Sequence, residues 1–376
     1  MITKAASVKQ QALRSPHQTG PRQTAAKVLF RSLVLVTLIL AILEGFARID
    51  NGGDLPVLPY EIIGGVPQLP RNAALDVRFY DSDTVRYVTD DAGLRVHDSG
   101  PPKLDARRVF IAGDSQVLGY GFEFDLTFAA RVSDVVFGDA RGGVILGTPA
   151  MDPEILALAV DANRAALPAD LPIAALALNL GNDLDEVFSA GGWYRGIDQP
   201  RLQSWLLRHS AAYMGFIQRR YANLTDKTLI PGINRIFYST SPEERVLLLR
   251  ETVDLMVATL NKIGADQSFI VIIPQDIQVF PQDFQKYRKY FSLPEDYKKW
   301  AAFVPQLARE FGLLETYAAM RMKRAGVEVV LLSGLLPAGA SPEDYFTRTS
   351  HHLLPAAHEL IAAEIIARAA SGAPPL

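Results

Sequence analysis

The chain has 376 residues, 49% hydrophobic and 21% charged, which is enough to bury one large α/β domain and carry an appendage. A net charge of −3 gives no electrostatic case for nucleic acid, and no nucleic-acid-binding motif is present. The absence of cysteine excludes disulfides and thiolate metal sites, but it leaves the redox compartment open, because many extracytoplasmic proteins also lack cysteine.

Residues 1–27 carry Lys4, Lys9, Arg14, Arg22 and Lys27 with no acid, and read as a basic cytoplasmic tail. Val28 to Ala47 follows as an apolar run long enough to cross a bilayer, with Arg31 and Glu44 near its ends, where both can reach an interface. Ser32 to Leu43 is apolar on every face apart from Ser32 and Thr37, which favours a membrane span over a buried amphipathic helix. Positive charge precedes the span while Arg48 is followed by Asp50, Asp54 and Glu61, so the positive-inside rule places the N-terminus inside and the rest of the chain in the periplasm. Gly45-Phe46-Ala47 resembles a signal-peptidase site, but the basic region is long for a cleaved signal, and an uncleaved single-pass anchor is the expectation.

Residues 48–107 read as a linker and a small β segment. Asp50 to Pro70 is rich in Gly and Pro and suits a tether; Val77 to Val96 alternates apolar and polar residues around Asp-rich turns, which predicts two or three short antiparallel strands packed on a sheet edge. Ser99-Gly-Pro-Pro102 punctuates before the core.

The core begins at Arg108. Val109 to Ala112 predicts a buried strand, and Gly113 allows a tight exit that places Ser115 in the first turn of a following helix, where the helix dipole would favour an oxyanion or where Ser115 would simply be an N-cap. Arg141 to Met151 predicts a second strand ending at Gly147, and Ile173 to Asp183 a third ending at Gly181-Asn182-Asp183. Strand ends in an open parallel sheet line one rim, where ligands bind. Further strands near Phe269 and Val329 alternate with helices, predicting an α/β fold with helices on both faces of a parallel sheet. Between the third strand and the one near Phe269 an insertion, about 184–265, holds predicted helices over Leu202 to Tyr221 and Pro242 to Ile263, the second begun by a Ser241 cap. Phe284 to Trp300 interleaves cations with aromatic residues, which suits either a glycan or lipid surface or a solvated helix with one buried face. Last, His351-His352-Leu353-Leu354-Pro355 opens the C-terminal helix, with His358 inside it.

In this order, Gly113-Asp114-Ser115, then Gly147, then Gly181-Asn182-Asp183, then His352 three residues before Pro355, residues 108–376 resemble the SGNH hydrolases, the GDSL esterase and lipase family. The resemblance implies a three-layer α/β/α sandwich with a flavodoxin-like sheet. It also implies Ser115 as nucleophile, His352 as base, and an oxyanion hole from the Ser115 and Gly147 backbone N–H groups and the Asn182 amide. Asp114 and Asp183 would hold the turns, and His351 is the neighbour less well spaced from Pro355. The chain departs from the family where an acid normally stands three residues before the base, since Thr349 occupies that position. Asp344 or Glu343 would then have to orient the imidazole, or a Ser-His dyad would suffice. The resemblance implies no metal or cofactor, an acyl-ester substrate, and an esterase acting on O-acetyl groups of an envelope or exported glycan. The alternatives are an O-acyltransferase placing acetyl on a glycan hydroxyl, and a non-catalytic glycan- or protein-binding module.

Overall fold

The computed structural model describes residues 21–50, 58–63, 65–78, 83–148, 151–188, 206, 210, 212–213, 240–290, 293–348 and 352–371. Helix α1 (Pro21–Asp50) contains the apolar stretch Ala25–Ile49, whose most apolar 18-residue window has mean hydropathy 2.3 and is not buried. It is long and apolar enough to span a membrane. Near its C-terminal end Glu44 is not left bare: its carboxylate accepts from Arg48 Nε at 2.7 Å, from Ser210 Oγ at 2.7 Å and from the Ala212 N–H at 3.2 Å.

Strands β1 (Glu61–Ile63) and β2 (Val66–Gln68) pair with each other. Strands β3 (Ala74–Arg78), β4 (Thr84–Thr89) and β5 (Arg95–Val96) form an antiparallel meander. Its β4–β5 turn is closed by Asp90, whose Oδ1 accepts from the Ala92 and Leu94 N–H groups. The meander does more than pack on an edge. Arg95 of β5 pairs with Ile145 of the core, making the meander part of the main sheet, and a buried Arg107–Asp90 ion pair at 2.7 Å ties its turn to the core.

The core strands are β6 (Val109–Gly113), β7 (Gly143–Gly147), β8 (Ile173–Asn179), β9 (Gln267–Ile273) and β10 (Glu328–Leu331). They are mutually parallel in the order β10-β9-β8-β6-β7, which is the flavodoxin-like order, and β5-β4-β3 extend them into a mixed eight-stranded sheet. The long helices are α2 (Phe128–Phe137), α3 (Pro153–Asn163), α4 (Leu180–Phe188), α5 (Pro242–Ile263), α6 (Pro294–Arg324) and α7 (Pro355–Ser371). Their starts follow local chemistry: Thr127 caps α2, Asp152 caps α3 ahead of Pro153, and Ser241 with Glu244 forms a capping box on α5.

Alternation along β6 decides the layering. Phe110 and Ala112 face α3, α5 and α6, while Val109 and Ile111 face α2 and α7. The result is a three-layer α/β/α sandwich, and truncating a side chain such as Ile111 in it would cost roughly 2–5 kcal/mol. In the Phe284 to Trp300 segment, Phe284, Tyr287 and Trp300 are buried against Ile277, Val304 and Leu307, so the buried-face reading holds for those three aromatic residues. The helix expected over Leu202 to Tyr221 lies outside the described residues, apart from isolated positions.

Candidate active site

Ser115 stands two residues beyond the end of β6, and Asn182 three beyond the end of β8, so the two flank the point where the strand order reverses. Ser115 is not at a helix N-terminus, contrary to the expectation from sequence. Residues 115–121 form successive turns, and the next long helix is α2, beginning at Phe128. The cause is Gly119 and Gly121, whose φ of 73° and 87° breaks any helical run. At Gly119 even alanine is excluded on space, because a Cβ would lie 2.7 Å from both Arg95 Nη1 and Thr127 Cγ2. The dipole expected from a helix begun at Ser115 is therefore absent.

This loop is pinned from beneath by the meander. Arg95 is fully buried and donates from Nη1 to the Leu118 and Gly119 carbonyls and from Nη2 to the Phe122 carbonyl at 2.9 Å. Tyr87, with Arg95 stacked 4.0 Å above its ring, donates to the Gly119 carbonyl at 2.8 Å and accepts from the Gly121 N–H at 2.9 Å. Burial pulls the Arg95 pKa down and pushes that of Tyr87 up, each partly offset by the other.

His352 reaches this loop from the far end of the chain, its Nε2 lying 2.9 Å from Ser115 Oγ. Its own loop is closed by the Phe346–Leu353 bridge, with the Thr347 N–H donating to the His352 carbonyl and the Leu354 N–H to the Tyr345 carbonyl, both at 2.9 Å. The Leu353 N–H donates to Gln116 Oε1 at 2.9 Å, which joins the His352 loop to the residue after Ser115. Tyr120 lies flat on the imidazole, with ring centroids 4.4 Å apart and planes 12° apart.

The structure does not bring Asp344 to the imidazole. Asp344 is exposed on the helical turn Pro342–Tyr345, no hydrogen bond or ion pair joins it to His352, and Glu343 pairs with Arg348 at 2.8 Å. The Phe346–Leu353 bridge buries those two side chains and leaves 343 and 344 facing solvent. Thr349 and His351 lie outside the described residues. His358 is a core residue: Nδ1 accepts from the Phe128 N–H at 3.2 Å, and desolvation, helped by the Arg95 charge, pushes its pKa down to about 3, so the ring is neutral.

On the opposite side Gly113 is in register with Gly147, and a Cβ on Gly147 would come within 3.1 Å of the Asp114 carbonyl. The Asp114 carboxylate is buried. It accepts from the Gln116 N–H at 2.9 Å, from Asn179 Nδ2 at 3.2 Å and from the Asn182 amide. Desolvation outweighs these donors and raises its pKa to about 6. Asp183 accepts from the Asn179 N–H at 2.8 Å. Gly181 leaves room for the side chain of Gln275, whose Oε1 would lie 2.1 Å from a Cβ there.

Ser115, Gly147, Asn182 and His352 thus converge on one rim, while Tyr120, Gln116, Arg95, Tyr87, Asn179 and Gln275 were not singled out from sequence. The Gly-Tyr-Gly run was the one local signal available for Tyr120, since paired glycines commonly mark a sharp turn presenting the residue between them. Among the described residues, no group of three His, Asp or Glu is placed to hold a metal ion.

No family model matches the sequence, and no curated protein matches it. Solved structures similar to the chain include a GDSL-like lipase from Bacteroides thetaiotaomicron VPI-5482, with 10% identity, 73% of this chain and 93% of that chain covered, and a TM-score of 0.36. A member of the lipolytic protein G-D-S-L family from Veillonella parvula DSM 2008 is similar with 11% identity, 69% of this chain and 96% of that one covered, and a TM-score of 0.34.

Proposed function

We propose that this protein is a membrane-anchored serine esterase of the SGNH type. The observation that carries the proposal is the 2.9 Å contact between Ser115 Oγ and His352 Nε2 at the reversal point of the sheet. In this mechanism the Ser115 hydroxyl gives its proton to Nε2 as Oγ attacks the acyl carbonyl. The tetrahedral oxyanion accepts from the Ser115 and Gly147 N–H groups and from Asn182. An amide has two N–H donors, so Asn182 can keep Asp114 on one and serve the oxyanion with the other. His352 then protonates the departing alkoxide. A water attacks the acyl-enzyme with His352 again as base, releasing the acid and restoring Ser115.

The same site would serve transfer to a glycan hydroxyl, with that hydroxyl in place of water. We take O-acetyl esters of an envelope or exported glycan as the substrate, on the support of location alone: α1 as an anchor, the basic tail inside and the site outside. A fluorophosphonate probe should label the wild-type chain and not Ser115→Ala. Failure to label the folded wild type would refute the esterase. A reporter fused after Leu376 that works only in the cytoplasm would refute the placement.

A further inference from the structure

We propose that Tyr120 is a positioning residue for His352, and that the β3–β5 meander exists in part to hold it there through Tyr87 and Arg95. The inference rests on the reading of Ser115 and His352 as nucleophile and base.

A serine-histidine pair works only while the imidazole keeps one nitrogen aimed at the hydroxyl, and an orienting group normally restrains the ring. The two upstream carboxylates of this loop, Glu343 and Asp344, are not on the ring. What lies on it is a phenol face, 4.4 Å away and within 12° of parallel. Turning the imidazole about its Cβ–Cγ bond would drive a ring edge into that face, so the stack restrains the ring in the orientation that puts Nε2 2.9 Å from Ser115 Oγ. The same face attracts the imidazolium formed when the proton moves, as any aromatic face attracts a cation.

A stacked ring restrains its neighbour only as well as it is restrained itself, and the support beneath Tyr120 is unusual. Burying a guanidinium is costly. Here the cost is accepted by a fully buried Arg95 whose donors go to the carbonyls of Leu118, Gly119 and Phe122, all within five residues centred on Tyr120. The Tyr87 hydroxyl closes the remaining gap by bridging the Gly119 carbonyl and the Gly121 N–H, the two backbone groups on either side of Tyr120. Gly119 and Gly121 supply the left-handed turns that let the phenol project from so short a loop. Arg95 is also the residue through which the meander joins β7, so one side chain both docks the extension and fixes the loop that carries Tyr120. A purely structural loop anchor would not need to place an aromatic face on the base.

The test uses the full chain in detergent, with p-nitrophenyl acetate as ester and a fluorophosphonate as nucleophile probe. Tyr120→Phe keeps the ring and should retain kcat within about threefold, while Tyr120→Ala should lose about tenfold to 10²-fold in kcat with KM nearly unchanged, as expected for a displaced reacting group. Tyr120→Leu fills the space without a flat face and should resemble Ala, which guards against an Ala variant that fails to fold. Tyr87→Phe removes only the two hydroxyl bonds and should lose a few-fold in kcat. An independent signature is the His352 Cε1–H proton resonance, shifted by the stacked ring in wild type and Phe and relaxed in Leu. If Tyr120→Ala or Tyr120→Leu turns over like wild type, or if Phe is as impaired as Leu, the positioning role is wrong although the esterase stands. If only Tyr87→Phe is silent, the part assigned to the meander falls. A wild-type chain inert to both probes would overturn the esterase itself, and the positioning role with it.

Discussion

The loop after β6 and the loop before α7 meet through two hydrogen bonds, Ser115 to His352 and Leu353 to Gln116, yet they are built by opposite means. Residues 114–122 are gripped by polar groups: the buried Arg95 and Tyr87 from the meander, the buried Asn179 and the half-buried Asn182 from the β8 end. Residues 341–348 and 352–354 are closed by their own backbone bridge and lean on the first loop through Gln116 and Tyr120. Ser115 is therefore held by the sheet, and His352 is held by the Ser115 loop. Damage should travel from the first loop to the second much more readily than in reverse.

The most severe way to test that hierarchy is to remove the nucleophile. Ser115→Ala should lower kcat by on the order of 10³-fold or more without loss of the fold, since the side chain is small and lies at the sheet rim. Turnover that survived the change would show that the two loops meet for a structural reason only. Asn182→Ala should cost less, roughly 10² to 10³ in kcat, as one oxyanion donor is lost. It also removes one donor from Asp114, so a control measurement of thermal stability separates the two effects.

Much of the parallel core was legible from sequence because its signals are local. Buried runs such as Val109 to Ala112 and Phe269 to Ile273 bound by glycine or proline declare strands, and Ser241-Pro242 with Glu244 declares the start of α5. The rim residues Ser115, Gly147, Asn182 and His352 were nameable because each sits in a short motif beside a strand or helix end. What was not legible depends on contacts across sequence distance. Arg95 and Leu118 are 23 residues apart, and Gln116 and Leu353 are 237 apart. No spacing rule on one chain announces that a buried arginine will cap three carbonyls of a remote loop. The expected helix at Ser115 failed for a local reason instead: the weight given to the strand exit at Gly113 neglected the two glycines at 119 and 121.

A smaller effect should separate the loops by pH. Burial raises the Asp114 carboxyl from 3.8 to about 6 despite the hydrogen bonds it accepts. Between those values the folded state holds the proton that the unfolded state has lost, so stability falls as pH rises through this window. Below it Asp114 contributes no penalty, and above it the penalty is complete, on the order of 3 kcal/mol. Asp114→Asn keeps the shape and removes the titration. Denaturant unfolding of both proteins at several pH values between 3.5 and 7 should give a stability difference that grows in favour of the variant as pH rises. Curves that stay parallel would mean that the rim around Asp114 is wetter than its burial implies.

The smallest expected effect is the most telling about the base loop. Asp344 is the carboxylate that a rebuilt catalytic triad would have recruited, eight residues before His352. It sits on an exposed helical turn, its N–H donating to the Ser341 carbonyl at 3.1 Å, while Phe346, two residues on, is bridged to Leu353 beside the imidazole. A carboxylate that could swing in would have to break that bridge and expose two side chains that are each 1% accessible. The gain would be one hydrogen bond to a half-buried ring, worth roughly 1–3 kcal/mol, against a cost of the same order for each large apolar residue uncovered. Closure by that route is therefore unfavourable, and at ordinary ionic strength the charge of an exposed carboxylate is largely screened from the reacting atoms. Asp344→Asn should leave kcat and KM within about twofold of wild type, where an orienting acid in a full triad would cost about 10⁴. A loss of more than tenfold in kcat would mean that the base loop rearranges in the working enzyme, and the dependence of the second loop on the first would have to be reversed.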